Sequence, residues 1–302
     1  MFSRRSFLQG SAVSAATLFA ASASAKPQES GLDGNAGTDA QTTVQLIRSA
    51  TLKVSLGGTT FLVDPMLSPK ASWPGFAYTI NSEAKNPLTD LPMPLSEVLS
   101  GVDAVLLTHL HEDHWDEAAR KAIPKEMPIF TDSEAHRKAV MKEGFRSVKV
   151  LEPGTMFNGV KLSPMLSQHG TDEVMASHPT GDSLGTTMGI LLEHRGAASV
   201  YVVGDSIWKP FTTMQLGMHR PDIVVLNTGN ALITESAHSI IMGTEDFMRA
   251  YREAPWASIV AVHMDAVNHC VLRRRDLRDV IALRGLDPKR AFVPDDGELL
   301  RF

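Results

Sequence analysis

The chain has one cysteine, Cys270, so no disulfide can form within it and the fold must be stable without one. It also lacks an excess of positive charge: 29 Lys and Arg stand against 34 Asp and Glu, for a net charge of −5. Phosphate contacts need a basic patch, so a nucleic-acid partner is not expected. No run is long and apolar enough for the ~20 residues of a bilayer span, so no transmembrane segment is expected in the mature chain. Beyond residue 43 there is no linker, repeat or low-complexity break. Residues 43–302 are therefore read as one domain, long enough for a full core.

What is present is concentrated in Thr108-His109-Leu110-His111-Glu112-Asp113-His114-Trp115-Asp116. The apolar run Asp103–Leu107 before it reads as a buried strand, and Glu117–Ala122 after it favours helix. A loop at the carboxyl end of a strand is where open α/β sheets place their sites. Side chains alternate along a strand, so His109 and His111 can point the same way, while Asp113 and His114 reach a second position nearby. Three imidazoles and a carboxylate suit zinc, iron or manganese.

The pattern His-x-His-x-Asp-His at 109–114 resembles the signature of the metallo-β-lactamase superfamily, in its two-metal hydrolase branch. Classical antibiotic-cleaving members usually lack the final His. The resemblance runs from about Thr43 onward and is closest to ascorbate-6-phosphate lactonase-like and N-acylphosphatidylethanolamine phospholipase D-like proteins. Periodicity alone indicates α/β. The resemblance implies an αββα sandwich, two facing mixed β-sheets with helices outside and metals at one edge.

At the start of the chain, Ser3-Arg4-Arg5-Ser6-Phe7-Leu8-Gln9 resembles a twin-arginine export signal, with Ala23-Ser24-Ala25 as a small-residue cleavage site. The expectation is a signal peptide over 1–25 and a disordered polar leader over 26–42. The twin-arginine machinery is then a partner, and the location is periplasmic or secreted from a bacterium. Cleavage would reduce Lys and Arg to 27 and move the net charge to −7.

Val44–Arg48, Leu52–Leu56 and Thr60–Asp64 read as strands, the last two joined by a Gly57-Gly58 turn. Phe61–Pro65 resembles the family strand whose Asp lies beneath the metal loop, which makes Asp64 the candidate to hold a ligand histidine. Capping a turn before Pro65 is the other use for that carboxylate. Met66–Pro94 has no period and five prolines, and Trp73, Phe76 and Tyr78 suggest a packed loop walling a pocket. Tyr78 could polarise a carbonyl or protonate a leaving group, or simply help hold that loop together.

Further along come a strand at Pro128–Thr131, a helix at Ser133–Glu143 capped by Ser133, a strand at Ser147–Leu151, and a Thr155–Gln168 hairpin around Asn158-Gly159. His169 lies where the family places a third imidazole of the first metal. His178, in a 172–182 loop read as irregular, competes as a ligand or sits on the rim. Strands at Thr186–Glu193 and Ser199–Val203 lead to Gly204-Asp205-Ser206, where the family places the carboxylate bridging both metals; Gly204 would let the backbone pass close to the ions. Ile223–Leu226 leads to Asn227-Thr228-Gly229-Asn230, so Asn227 or Asn230 could bind substrate or form a turn. A helix capped by Thr244 and a strand at Ser258–Val262 precede His263, which resembles the family's final ligand, with His269 a nearby shell residue. Arg273–Leu283 reads as a solvated basic helix.

The resemblance thus implies His109, His111, His169 and Asp205 at one metal, and Asp113, His114, His263 and Asp205 at the other. Both are divalent, zinc first, with manganese or iron compatible. A hydroxide bridging them would attack an ester, lactone or phosphodiester of a small molecule, with Asp113 orienting or shuttling the proton. The alternatives are a periplasmic metal-binding protein without turnover and a di-iron redox protein of the same fold.

Overall fold

The computed structural model describes residues 41–302 apart from 180 and 237. The export signal and nearly all of the expected leader lie outside the described residues. At the leader's inner edge Thr42 is buried, and its hydroxyl donates to the Ala198 carbonyl at 2.8 Å.

The first half of the chain makes one sheet. Strands β1 (Thr43–Arg48), β2 (Thr51–Leu56) and β3 (Thr59–Val63) form an antiparallel meander. Gly57 and Gly58 both take positive φ at its tight turn, as two-residue hairpins require. Helix α1 (Leu95–Leu99) leads to β4 (Ala104–Leu106), α2 (Glu117–Ala122), β5 (Ile129–Thr131), α3 (Glu134–Lys142) and β6 (Val148–Val150). Ser133 caps α3, its hydroxyl accepting from the His136 amide. Strands β3 to β6 are parallel, because helices return the chain to the same end each time.

The second half makes the other sheet. The hairpin β7 (Thr155–Phe157) and β8 (Val160–Leu166) turns at Asn158-Gly159. Then come α4 (Asp172–Ser177), α5 (Gly181–Leu184), β9 (Met188–His194), β10 (Ala197–Val202), α6 (Pro210–His219), β11 (Ile223–Asn227), α7 (Thr244–Glu253), β12 (Ser258–Val262), α8 (Arg274–Leu283), β13 (Ala291–Phe292) and β14 (Leu299–Arg301). The second sheet runs β13-β12-β11-β10-β9-β8-β7, whereas β14 crosses back to pair with β1 and completes the first as β14-β1-β2-β3-β4-β5-β6.

Alternation along the strands sorts the core into three layers. Leu52, Val54, Phe61, Val63 and Leu106 meet Ile190, Leu192, Val200, Val202, Val225 and Val262 between the sheets. Their neighbours Leu62, Val105 and Leu107 face outward, under α2 and α3, with Trp115, Ala119 and Val140. On the far side Tyr201, Val224, Leu226 and Ile259 pack beneath Leu216, Phe247 and Leu277 of α6, α7 and α8. Two mixed sheets face each other with helices outside, the αββα sandwich expected from the resemblance.

Three local expectations are corrected. Residues 172–182 are not irregular: Thr171 caps α4, and Val174 and Leu184 are buried in a small cluster with Ile233 and Ile240. The N-cap of α7 is Gly243 rather than Thr244, and the Asp246 carboxylate accepts from the Gly243 amide at 3.0 Å. Helix α8 is only partly solvated, since Leu277 is in the core and Arg274 is buried against Asp265 and Asp296. Among the described residues no helix is long and apolar enough to cross a membrane.

Candidate metal centre

The parallel strands of both sheets end at one edge of the sandwich, and the site residues follow directly after them. Asp64 follows β3, the 108–114 loop follows β4, Asp205 follows β10 and His263 follows β12. Sheet-to-sheet hydrogen bonds close this edge: the Met188 amide donates to Thr108 O at 3.1 Å, and the His263 amide to Ser49 O at 2.8 Å. Segment 167–169 is laced to 205–207, with the Gln168 amide on Ser206 Oγ and the Ile207 amide on Gln168 O.

Asp64 organises the metal loop from beneath. One carboxylate oxygen accepts from the Thr108 amide at 2.8 Å, and the other from the Thr108 hydroxyl at 2.6 Å and His114 Nδ1 at 2.9 Å. The Thr108 hydroxyl, having donated to Asp64, accepts from His109 Nδ1 at 3.0 Å. His169 Nδ1 donates to Ile240 O at 2.9 Å, and His111 Nε2 donates to Ser183 O at 2.8 Å. Four rings are thereby held in the tautomer that leaves a bare nitrogen facing the centre. Asp64 and His263 keep φ of 46° and 63°, a left-handed conformation held against a strain of about 1–3 kcal/mol each.

The bare nitrogens converge. His109, His111 and His169 place one ligand atom each within 4.8 Å of one another, and so do Asp113, His114 and His263. Asp205 lies between the two groups. Its Oδ2 is 3.2 Å from His114 Nε2, 3.4 Å from His169 Nε2 and 3.9 Å from His109 Nε2, while Oδ1 is 3.6 Å from His263 Nε2. Asn227 holds Oδ1 by a 2.7 Å hydrogen bond.

The donor set fits cations. His109 Nε2 and His111 Nδ1 are 2.9 Å apart, and His114 Nε2 and His263 Nε2 are 3.1 Å apart. Lone pairs that close, with two carboxylates beside them, need positive charge between them. Without a cation the charge comes from protons. Burial opposes charge on His114, yet Asp205, Asp113 and Asp64 outweigh it and raise its pKa to about 10. Burial is not offset in the same way at His109, whose pKa falls well below 6.5, or at His169, whose pKa falls to about 4. Asp205, although buried, is held far below the usual carboxylate range by His114 and His263.

Above this centre opens a cavity of about 410 Å³ with Asp113, Asp205, His111 and His169 at its floor. Phe76 and Tyr78 of the 66–94 segment form one wall; Leu184, Ile233 and Ile240 form the other. Tyr78 is 57% exposed, so it belongs to the rim. His269 also lines the cavity, and burial lowers its pKa to about 4. His178 is outside the cluster, bonded to Thr234 O at 2.7 Å, which settles the competition with His169 on position.

Asn230 is not brought to the cavity. Its left-handed backbone, φ 49°, turns the side chain against Gly243 instead. Asn227 is the one that reaches the centre, and it grips Asp205 rather than facing the cavity. Gly204 has a packing reason of its own: at φ 71°, a Cβ would meet the Met188 carbonyl at 2.8 Å. Three contributors escaped sequence reasoning, Thr108 and the carbonyls of Ser183 and Ile240, since none of these residue types signals a hydrogen bond to a ligand ring.

The β-lactamase superfamily domain matches residues 59–264, which include all the converging side chains. The chain belongs to the metallo-β-lactamase superfamily. Within it, the chain is 37% identical over 256 residues to the protein YddR of Bacillus subtilis (strain 168), covering 85% of this chain and 98% of that one. A possible metal-dependent hydrolase from Veillonella parvula DSM 2008 superposes with a TM-score of 0.84 at 39% identity, covering 86% of this chain and 99% of its own. An isothiocyanate hydrolase from Delia radicum gut bacteria does so with a TM-score of 0.82, at the same identity and coverage. Superfamily membership accounts for the clustered edge: the sandwich brings strand ends from both halves of the chain to one place.

Proposed function

We propose that this metal-dependent hydrolase of the metallo-β-lactamase fold holds two divalent cations, zinc first, and cleaves a small uncharged substrate at an electrophilic carbon. His109, His111 and His169 would hold one cation, Asp113, His114 and His263 the other, with Asp205 shared. When bound, such cations lower the pKa of water toward about 7 and stabilise developing negative charge. The chain's own residues do the rest. Asp64, Thr108 and the Ile240 carbonyl keep the imidazoles in the right tautomer, and Asn227 fixes the shared carboxylate. Asp113, ionised and at the cavity floor, orients the attacking water and passes its proton out to solvent. Phe76, Leu184, Ile233 and Ile240 exclude bulk water, which strengthens every electrostatic interaction at the floor.

The observation that carries this reading is the cavity's lining: apolar walls over a carboxylate and imidazole floor, with no Lys or Arg among the described residues that line it. A phosphodiester would find no side-chain cation there, whereas an ester, a lactone or an isothiocyanate needs none. The similarity to an isothiocyanate hydrolase supports the last of these. The test is elemental analysis of the purified chain combined with hydrolysis of benzyl isothiocyanate, phenyl acetate, δ-valerolactone and bis(p-nitrophenyl) phosphate. Two metals per chain and chelator-sensitive turnover of an uncharged compound are expected; a preference for the phosphodiester would overturn the substrate class. We also propose export by the twin-arginine route, for which sequencing of exported protein should find an amino terminus near Lys26.

A further inference from the structure

His269 is a buried polar ring that the metal centre does not use. Nδ1 is sealed from solvent without a hydrogen-bond partner. Nε2 has no partner either among the described residues, and the ring lines the cavity. Burying polar atoms unpaired costs about 1–3 kcal/mol, and a phenyl or isobutyl group would fill the same space without that penalty. The ring is nonetheless held firmly. Phe76 packs edge-on against it with centroids 4.9 Å apart, and the His269 carbonyl accepts from the Leu232 amide at 3.0 Å.

Its neighbour Asn268 pins the facing wall. Oδ1 of Asn268 accepts from the Phe76 amide at 3.2 Å and from Asn86 Nδ2 at 2.8 Å. Its Nδ2 donates to Thr79 Oγ1 and to Ile80 O, each at 2.8 Å. The wall loop and the imidazole are thus fixed to each other on one side of the cavity. An unpaired N–H is the costlier orphan to bury, so the proton belongs on Nε2, where the cavity offers it a partner.

We propose that His269 is a catalytic residue of the hydrolysis inferred above: its Nε2–H hydrogen-bonds the substrate heteroatom on which negative charge gathers. As the water oxygen bonds to carbon, the π pair of the adjoining C=N, C=S or C=O bond moves onto that heteroatom. The proton lost by water leaves through Asp113 to solvent, and no proton changes owner at His269. The proposal rests on the hydrolytic reading, and the experiment separates the two.

His269→Phe and His269→Gln would be compared with the wild type, all as metal-loaded full chains, on benzyl isothiocyanate and phenyl acetate. The expected result is unchanged metal content, kcat lower by about 10²–10³ in His269→Phe with KM little moved, and partial recovery in His269→Gln. Calorimetry with N-benzylthiourea, an uncharged probe that keeps the C=S group, should show binding about tenfold weaker in His269→Phe. Loss of metal, a kcat near wild type, or equal thiourea affinity in His269→Phe overturns the proposal. If the wild type hydrolyses neither these two nor δ-valerolactone, the hydrolytic reading fails, and the thiourea titration alone decides the role of His269; absence of binding to the wild type then counts against it.

Discussion

At the residue scale the centre depends on carboxylates that fix rings rather than on the rings alone. Asp64 takes three donors and its replacement by Asn would turn an N–H₂ group toward one of them. Asp64→Asn is therefore expected to weaken metal affinity or activity by about 10–100-fold, measured by chelator competition. Asp205 sits between the two ligand groups, so Asp205→Asn should do more damage than Asp64→Asn and lower the occupancy of both positions. His109→Ala should lower it at one. Elemental analysis distinguishes these patterns, and full loading of Asp205→Asn would refute the shared role. The spacing of 109–114 made His109 legible in the sequence, because ligand chemistry is carried by residue type, whereas Asp64 and Asp205 were reached through the family resemblance. Asn227 was legible only as one of two asparagines, since the choice between them turns on backbone conformation at Asn230.

At the element scale, the metal loop is anchored from its far side by Trp115. That ring is buried against Phe145, and its Nε1 donates to Glu143 at 2.8 Å. Trp115→Ala should cost about 3–5 kcal/mol in denaturant unfolding of the metal-loaded chain; a loss under about 1 kcal/mol would show that the loop is held elsewhere. Most strands were legible because alternation and turn glycines are local signals: β1 to β3 and the β7–β8 hairpin needed nothing else. Helices α4 and α5 were not, since six and four residues carry too little pattern and their order comes from Val174 and Leu184 packing on Ile233 and Ile240. Strand β14 was equally hidden. Three residues pair with β1 only because the fold returns them there.

At the scale of the whole molecule, the buried imidazoles couple stability to pH. Burial lowers the pKa values of His169 and His269 from 6.5 to about 4, so the unfolded chain takes up those protons first. Stability from these groups is present above pH 6.5 and lost as pH falls toward 4, by at most about 3 kcal/mol each. His114 works the other way, because its pKa is raised to about 10: its contribution in chelated protein is full below pH 6.5 and disappears as pH rises through 10. Chelated protein should thus be most stable near pH 6.5, and urea titrations showing stability flat from pH 4 to 10 would sink this account. Metal loading must displace the His114 proton, so apparent affinity should rise with pH in chelator competition.

The amino-acid sequence by itself determined the chemistry available, through donors spaced along one loop, and the α/β character, through alternation and turn residues. Both are properties of residues close together in the chain. The family resemblance named His169, Asp205 and His263 as sharing the loop's centre; only the tertiary structure brought them there from far along the chain, and it alone decided that Asn227 rather than Asn230 serves the centre and that the cavity above is apolar. Those outcomes depend on which strand ends the two sheets bring to a common edge, and packing across the sandwich, unlike hydrogen bonding within a strand or turn, is not written in any local pattern.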